Sequence, residues 1–101
     1  MKSEFTENFL ELLENINNLK RETQHSNASI EIKNEITNVN KCILDTNIIT
    51  KNNSEDYIFA KMLNIMDYLF DKYITKLNKT TYDYKVMNSL YDTIRSFYFN
   101  L

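Results

Sequence analysis

The sequence predicts an all-α fold, an antiparallel up-down four-helix bundle, and three observations carry that prediction. The chain contains no glycine and no proline. Hairpin turns, bulges and phosphate-cradling loops depend on glycine for positive φ, so β-rich folds, dinucleotide-binding folds and P-loops are disfavoured. Apolar residues recur at helical spacing in four segments, each roughly 16–22 residues long. The breaks between those segments are short and carry Asn, Ser and Thr, which cap helices without needing glycine. Such a pattern makes a bundle of neighbouring antiparallel helices. The length of 101 residues fits a single domain over 1–101, and 43% hydrophobic residues suffice for a modest core.

The first helix is expected over residues 3–23. Phe5, Phe9, Leu12, Leu13, Ile16 and Leu19 lie on one stripe, with Ser3 as cap. Glu4 and Glu7 fall in the first turn and Lys20 and Arg21 near the last, each where the helix dipole favours that charge. "ETQHSN" breaks the pattern and offers Ser26 or Asn27 as cap for a second helix over 28–46. Its stripe is Ala28, Ile32, Ile36, Val39 and Ile43, widened by Ile30 and Leu44. The stretch "NIITKNNS" loses the period and forms the longest connection, with Ile48 and Ile49 expected to tuck onto the core.

Ser54 followed by Glu55 and Asp56 starts a third helix over 55–77. Ile58, Met62, Ile65, Leu69 and Tyr73 form its stripe, broadened by Phe59, Met66 and Leu77, and a helix this apolar is expected to be the most buried of the four. "KLNKTT" ends it. Thr80 is the expected cap of the fourth helix, 81–97, with Asp83 in the capping-box position. Tyr84, Met87, Leu90, Tyr91, Ile94 and Phe97 line that helix, and an aromatic tail over 97–101 follows.

Catalytic chemistry finds little support. His25 is the only histidine and lies in a polar turn, so no nucleophile–base constellation can be assembled around a second one. A di-iron bundle needs inward Glu-x-x-His pairs, and none occurs. Cys42 is the single cysteine, which excludes an internal disulfide and a cysteine zinc site, and it sits beside Ile43 and Leu44 as a core residue would. The chain therefore reads as no enzyme, without metal, cofactor or small-molecule substrate. No leader pattern opens the sequence, and no apolar run approaches the roughly 18 residues of a membrane span, so the expected location is cytoplasmic. A formal net charge of −2 does not favour nucleic acid as a partner.

Charge and aromatics are unevenly placed, however. The first fifty residues are acidic on balance, whereas Lys72, Lys76, Lys79 and Lys85 make the region around the last turn basic. All seven tyrosines lie in the second half, which closes on "IRSFYFNL". Chain ends are normally polar and frayed. The run Phe97, Tyr98, Phe99 is thus a plug for the core, a contact with a membrane surface, or a surface kept for a partner.

The stretch "MDYLFDKYITKLNKTTYDYKVMNSLYDTIRSFY" resembles the C-terminal half of the immunity proteins that protect producers of pediocin-like (class IIa) bacteriocins, particularly the enterocin A immunity type. The matching pieces are Tyr68–Leu69, Tyr73, Lys76, Thr81–Tyr82, Leu90 and Arg95. The resemblance covers about residues 55–98 in detail and the remainder only in helix order. It implies an antiparallel four-helix bundle in the cytoplasm, partly membrane-associated and without enzymatic activity. Its partner would be the membrane permease of the mannose phosphotransferase system carrying bound bacteriocin, whose pore such proteins block from inside the cell. Recognition resides in the C-terminal half of that family. Carried onto this sequence it falls on Arg95, Phe97, Tyr98 and Phe99, with Lys76 and Lys79 as electrostatic support at the membrane face. A small helical regulator or adaptor binding a soluble protein is the alternative reading.

Overall fold

The computed structural model of the chain describes residues 4–46 and 54–99. They form four helices: α1 Glu4–Gln24, α2 Ile30–Asp45, α3 Glu55–Leu69, which continues into a π-helical turn Phe70–Ile74, and α4 Tyr82–Phe99. α1 packs against α2 and α4, and α4 packs against α3 and across the bundle against α2. This is the four-helix bundle that the apolar spacing predicts, with no strand among the described residues.

The stripes become the core almost position for position. Phe9, Ile16, Ile32, Ile36, Ile43, Ile58, Met62, Leu69, Met87, Leu90 and Ile94 are essentially closed to solvent. One end of the bundle is aromatic. Phe5 and Phe9 at the start of α1, Phe59 near the start of α3 and Phe97 near the end of α4 meet with ring centroids 5.4–6.3 Å apart. Offset and edge-on ring pairs at such distances add to area burial.

Several boundaries differ from the sequence expectation, each for a local reason. The cap of α2 is Ser29, whose hydroxyl accepts from the Ile32 amide, so neither Ser26 nor Asn27 caps it. Ser26 is occupied within the turn, donating to the Thr23 carbonyl at 2.7 Å and accepting from the Ala28 amide at 3.1 Å. Ile30 lies about 200° round the helix from Ile32 and is 76% exposed, and Leu44 is likewise exposed. Neither widens the buried stripe. Thr81, rather than Thr80, caps α4 by accepting from the Tyr84 amide, because the Thr80 hydroxyl is held by Asn78 Oδ1. Asp83 serves a different bond from the expected capping box: its Oδ1 accepts from the Ser29 amide at 2.9 Å, tying the start of α4 to the start of α2.

The third helix is not α-helical to residue 77. From Phe70 to Ile74 it widens into a π turn, in which the Thr75 amide donates to the Phe70 carbonyl five residues back at 3.1 Å. Ser54 caps the other end as expected, through the Tyr57 amide. Phe97, Tyr98 and Phe99 are the last turn of α4 instead of a separate tail. Ser3 as a cap, Ile48 and Ile49 as core residues, and the end of the tail all fall outside the described residues.

Candidate functional site

Two places on the bundle gather side chains suited to recognition. The first is the aromatic end. Phe97 is 6% exposed and belongs to the core cluster. Tyr98 is half-buried, with its ring edge-on to Phe59 at 5.5 Å. Phe99 is 64% exposed. The Arg95 guanidinium lies 5.4 Å from the centre of the Phe99 ring, one helical turn away, and Phe99 also meets Tyr98 at 5.0 Å. An arginine stacked on an exposed aromatic is a ready contact for an apolar or anionic partner.

The structure splits the six residues on which sequence reasoning placed recognition. Arg95, Tyr98 and Phe99 form one surface patch over the buried Phe97. Lys76 and Lys79 are exposed in the turn before α4, at its opposite end. An 18-residue helix spans about 27 Å, so the two lysines are too far away to act on the same small contact.

The second place was not singled out by the sequence. Glu35 on α2 is only 8% exposed. Its Oε1 accepts from the Tyr73 hydroxyl at 2.7 Å, from the Tyr68 hydroxyl, and from the Lys72 ammonium at 3.4 Å. Lys72 also reaches the Tyr68 hydroxyl at 3.1 Å and lies over both tyrosine rings. The π turn carries Lys72 and Tyr73, and such turns recur at functional positions. Burial pushes the Glu35 carboxyl up, but the two hydroxyls and Lys72 outweigh it and hold the group below its ordinary value. Burial and the bond to Glu35 push the Tyr73 hydroxyl well above its own ordinary range, so it remains a donor. The hydrogen bond to the Tyr68 hydroxyl and, less strongly, the charge of Glu35 push the Lys72 ammonium further above its ordinary value.

A groove of about 250 Å³ runs beside this network between α2 and α3, with Glu35 and Tyr68 at one end and Cys42 and Lys61 at the other. Val39 and Ile65 form its walls. The helices are wider apart here, since α2 and α3 are not among the closely packed pairs. Cys42 is a free, half-buried thiol lining the groove. A signal for this site did exist: Glu35 lies three residues after Ile32 and four before Val39, a carboxylate set within an apolar stripe.

Among the described residues no group of three or more His, Cys, Asp and Glu side chains could hold a metal, and His25 is exposed in the α1–α2 turn. No helix among them is long and apolar enough to cross a membrane. No protein-family model matches the chain, and no curated protein or solved structure matches it either.

Proposed function

We propose that the chain is a bacteriocin immunity protein, a binding module without chemistry that protects its cell from a pediocin-like peptide. It acts at the cytoplasmic side of the membrane, on the mannose-type permease with the peptide bound, and blocks the pore. The observation that carries this reading is the patch of Arg95, Tyr98 and Phe99, an exposed cation–aromatic contact fixed on a rigid aromatic core. Aromatic and arginine side chains held in this way supply most of the contact energy of small interfaces. The resemblance of residues 55–98 to that family points the same way. Lys76 and Lys79, at the far end of α4, act as separate electrostatic contacts with an anionic membrane face.

The test is survival. The chain is expressed in a bacterium that carries the permease and is sensitive to pediocin-like peptides, then challenged with a panel of them. Selective protection against one or a few peptides is expected. Phe99→Ala and Arg95→Ala should each reduce that protection while leaving the protein folded. Unchanged killing by every peptide, with folded protein confirmed in the cells, overturns the reading. The second reading, a helical adaptor for a soluble protein, is favoured by the α2–α3 groove, which shares no residue with the aromatic patch.

A further inference from the structure

Glu35 is bonded on one side only. All three of its donors, Tyr68, Tyr73 and Lys72, converge on Oε1, and no described residue donates to Oε2. A carboxylate on a residue more than nine-tenths buried normally has donors on both oxygens. The carboxylate is nonetheless not sealed in the core, because Glu35 lines the groove between α2 and α3 and also a second hollow beside Lys72 and Tyr73. The groove thus sets a carboxylate acceptor, with the amides of Asn38 and Asn64, beside an apolar stretch of Val39, Cys42 and Ile65.

Charge decides what kind of donor fits. The negative charge of Glu35 is already met by Lys72 at 3.4 Å, and Lys61 adds positive potential from the opposite end of the groove. A cation would face two lysines, and an anion would face the carboxylate. A neutral donor avoids both costs. Size decides the rest: about 250 Å³ is below the usual range for a drug-sized ligand and close to that of one large side chain. Val39, Cys42 and Ile65 make an apolar slot that a ring fills and a serine or threonine would leave empty.

We propose that the α2–α3 groove is a second recognition site, which seats the tyrosine side chain of a partner protein with its ring between Val39 and Ile65 and its hydroxyl donating to Glu35 Oε2. The site does not depend on the immunity reading, and its test uses no bacteriocin. The phenol's bond to a charged acceptor is of the stronger kind.

The isolated, isotope-labelled full chain is titrated with p-cresol, which is the tyrosine side chain itself, with toluene, which lacks the donor, and with benzylammonium. The amide signals of Val39, Cys42 and Ile65 report occupancy, as does the rate at which iodoacetamide alkylates Cys42, the only thiol. p-Cresol should shift those amides and slow alkylation at a concentration about tenfold lower than toluene requires. Benzylammonium should bind no better than toluene. In Glu35→Gln the preference for p-cresol over toluene should shrink, while the persistence of toluene binding shows that the groove is intact. Equal binding of p-cresol and toluene to the unaltered chain overturns the role of Oε2. Tightest binding of the ammonium makes it a cation site instead, and absence of any response at the groove removes the site. A shift of the same amides with protein concentration alone assigns the groove to a second copy of the chain and overturns the choice of partner.

Discussion

At the scale of single residues, Glu35 is where burial and charge compete most sharply. Its carboxylate is tolerated in the bundle because two tyrosine hydroxyls and an ammonium replace the water it gives up. Tyr73→Phe removes the buried one of those donors and leaves the packing of the ring. It should lower stability by about 1.5 kcal/mol near neutral pH, read from urea unfolding. The pH dependence has a definite sign. Because the folded-state pKa of Glu35 is depressed, the stabilisation it brings is fully present above the ordinary carboxylate value and is lost as pH falls through the folded value. The gap between the native chain and Tyr73→Phe should therefore stay constant down to the ordinary carboxylate value and narrow as the pH falls below it; a gap independent of pH would mean that the bond to Glu35 is not the stabilising contact. Asn40 is the converse case, since its Oδ1 is buried with no partner among the described residues. Asn40→Leu should be neutral or stabilising by up to about 1 kcal/mol, through relief of that polar atom and better helix propensity.

At the scale of elements, the helices were legible because burial enforces a period. Ile32, Ile36, Val39 and Ile43 could be placed on the inner face from spacing alone, and so could Ile58, Met62, Ile65 and Leu69. Helix starts were less legible, because several residues in each turn can cap. Ser26, Asn27 and Ser29 all have suitable side chains, and the choice is made by one bond inside the turn and one to a distant part of the chain. Ser26 is claimed by Thr23 within the turn, and the amide of Ser29 is claimed by Asp83 from α4. The π turn was illegible for a similar reason, since it forms where Tyr73 and Lys72 reach across to Glu35 and no short window contains both sides. Asp83→Ala tests the cross-helix bond. It should cost about 1 kcal/mol and speed hydrogen exchange at the Ser29 amide, with little change at the Ile32 amide that Ser29 itself caps. If the two amides speed up together, the start of α2 frays as a unit and Asp83 holds more than one bond.

At the scale of the whole molecule, the aromatic run that closes the chain is divided between two roles. The sequence allowed a core plug, a membrane contact or a partner surface, and spacing along α4 separates the neighbours: Phe97 continues the buried row from Met87, Leu90 and Ile94, whereas Phe99 lies off it. The groove beside Glu35 could not be foreseen in this way, because its two walls come from helices that are distant in sequence and its shape depends on how far apart they sit. The division at the end of α4 makes a paired prediction. Phe97 contacts Phe5, Phe9 and Phe59, rings from two other helices, so Phe97→Ala opens a cavity where α1, α3 and α4 meet and should cost about 3–5 kcal/mol. Phe99→Ala removes a ring that is mostly in water and should change stability by less than about 0.5 kcal/mol. Protection of cells should respond the other way for a given loss of stability. If the chain protects cells as proposed, Phe99→Ala should reduce protection in a chain that melts normally, whereas Phe97→Ala should weaken it only as far as the folded fraction falls, and recover on cooling. Thermal unfolding of both variants, set beside survival at two growth temperatures, separates the two roles; if Phe99→Ala protects as well as the native chain, the end of α4 serves the core alone and the partner surface lies elsewhere on the bundle.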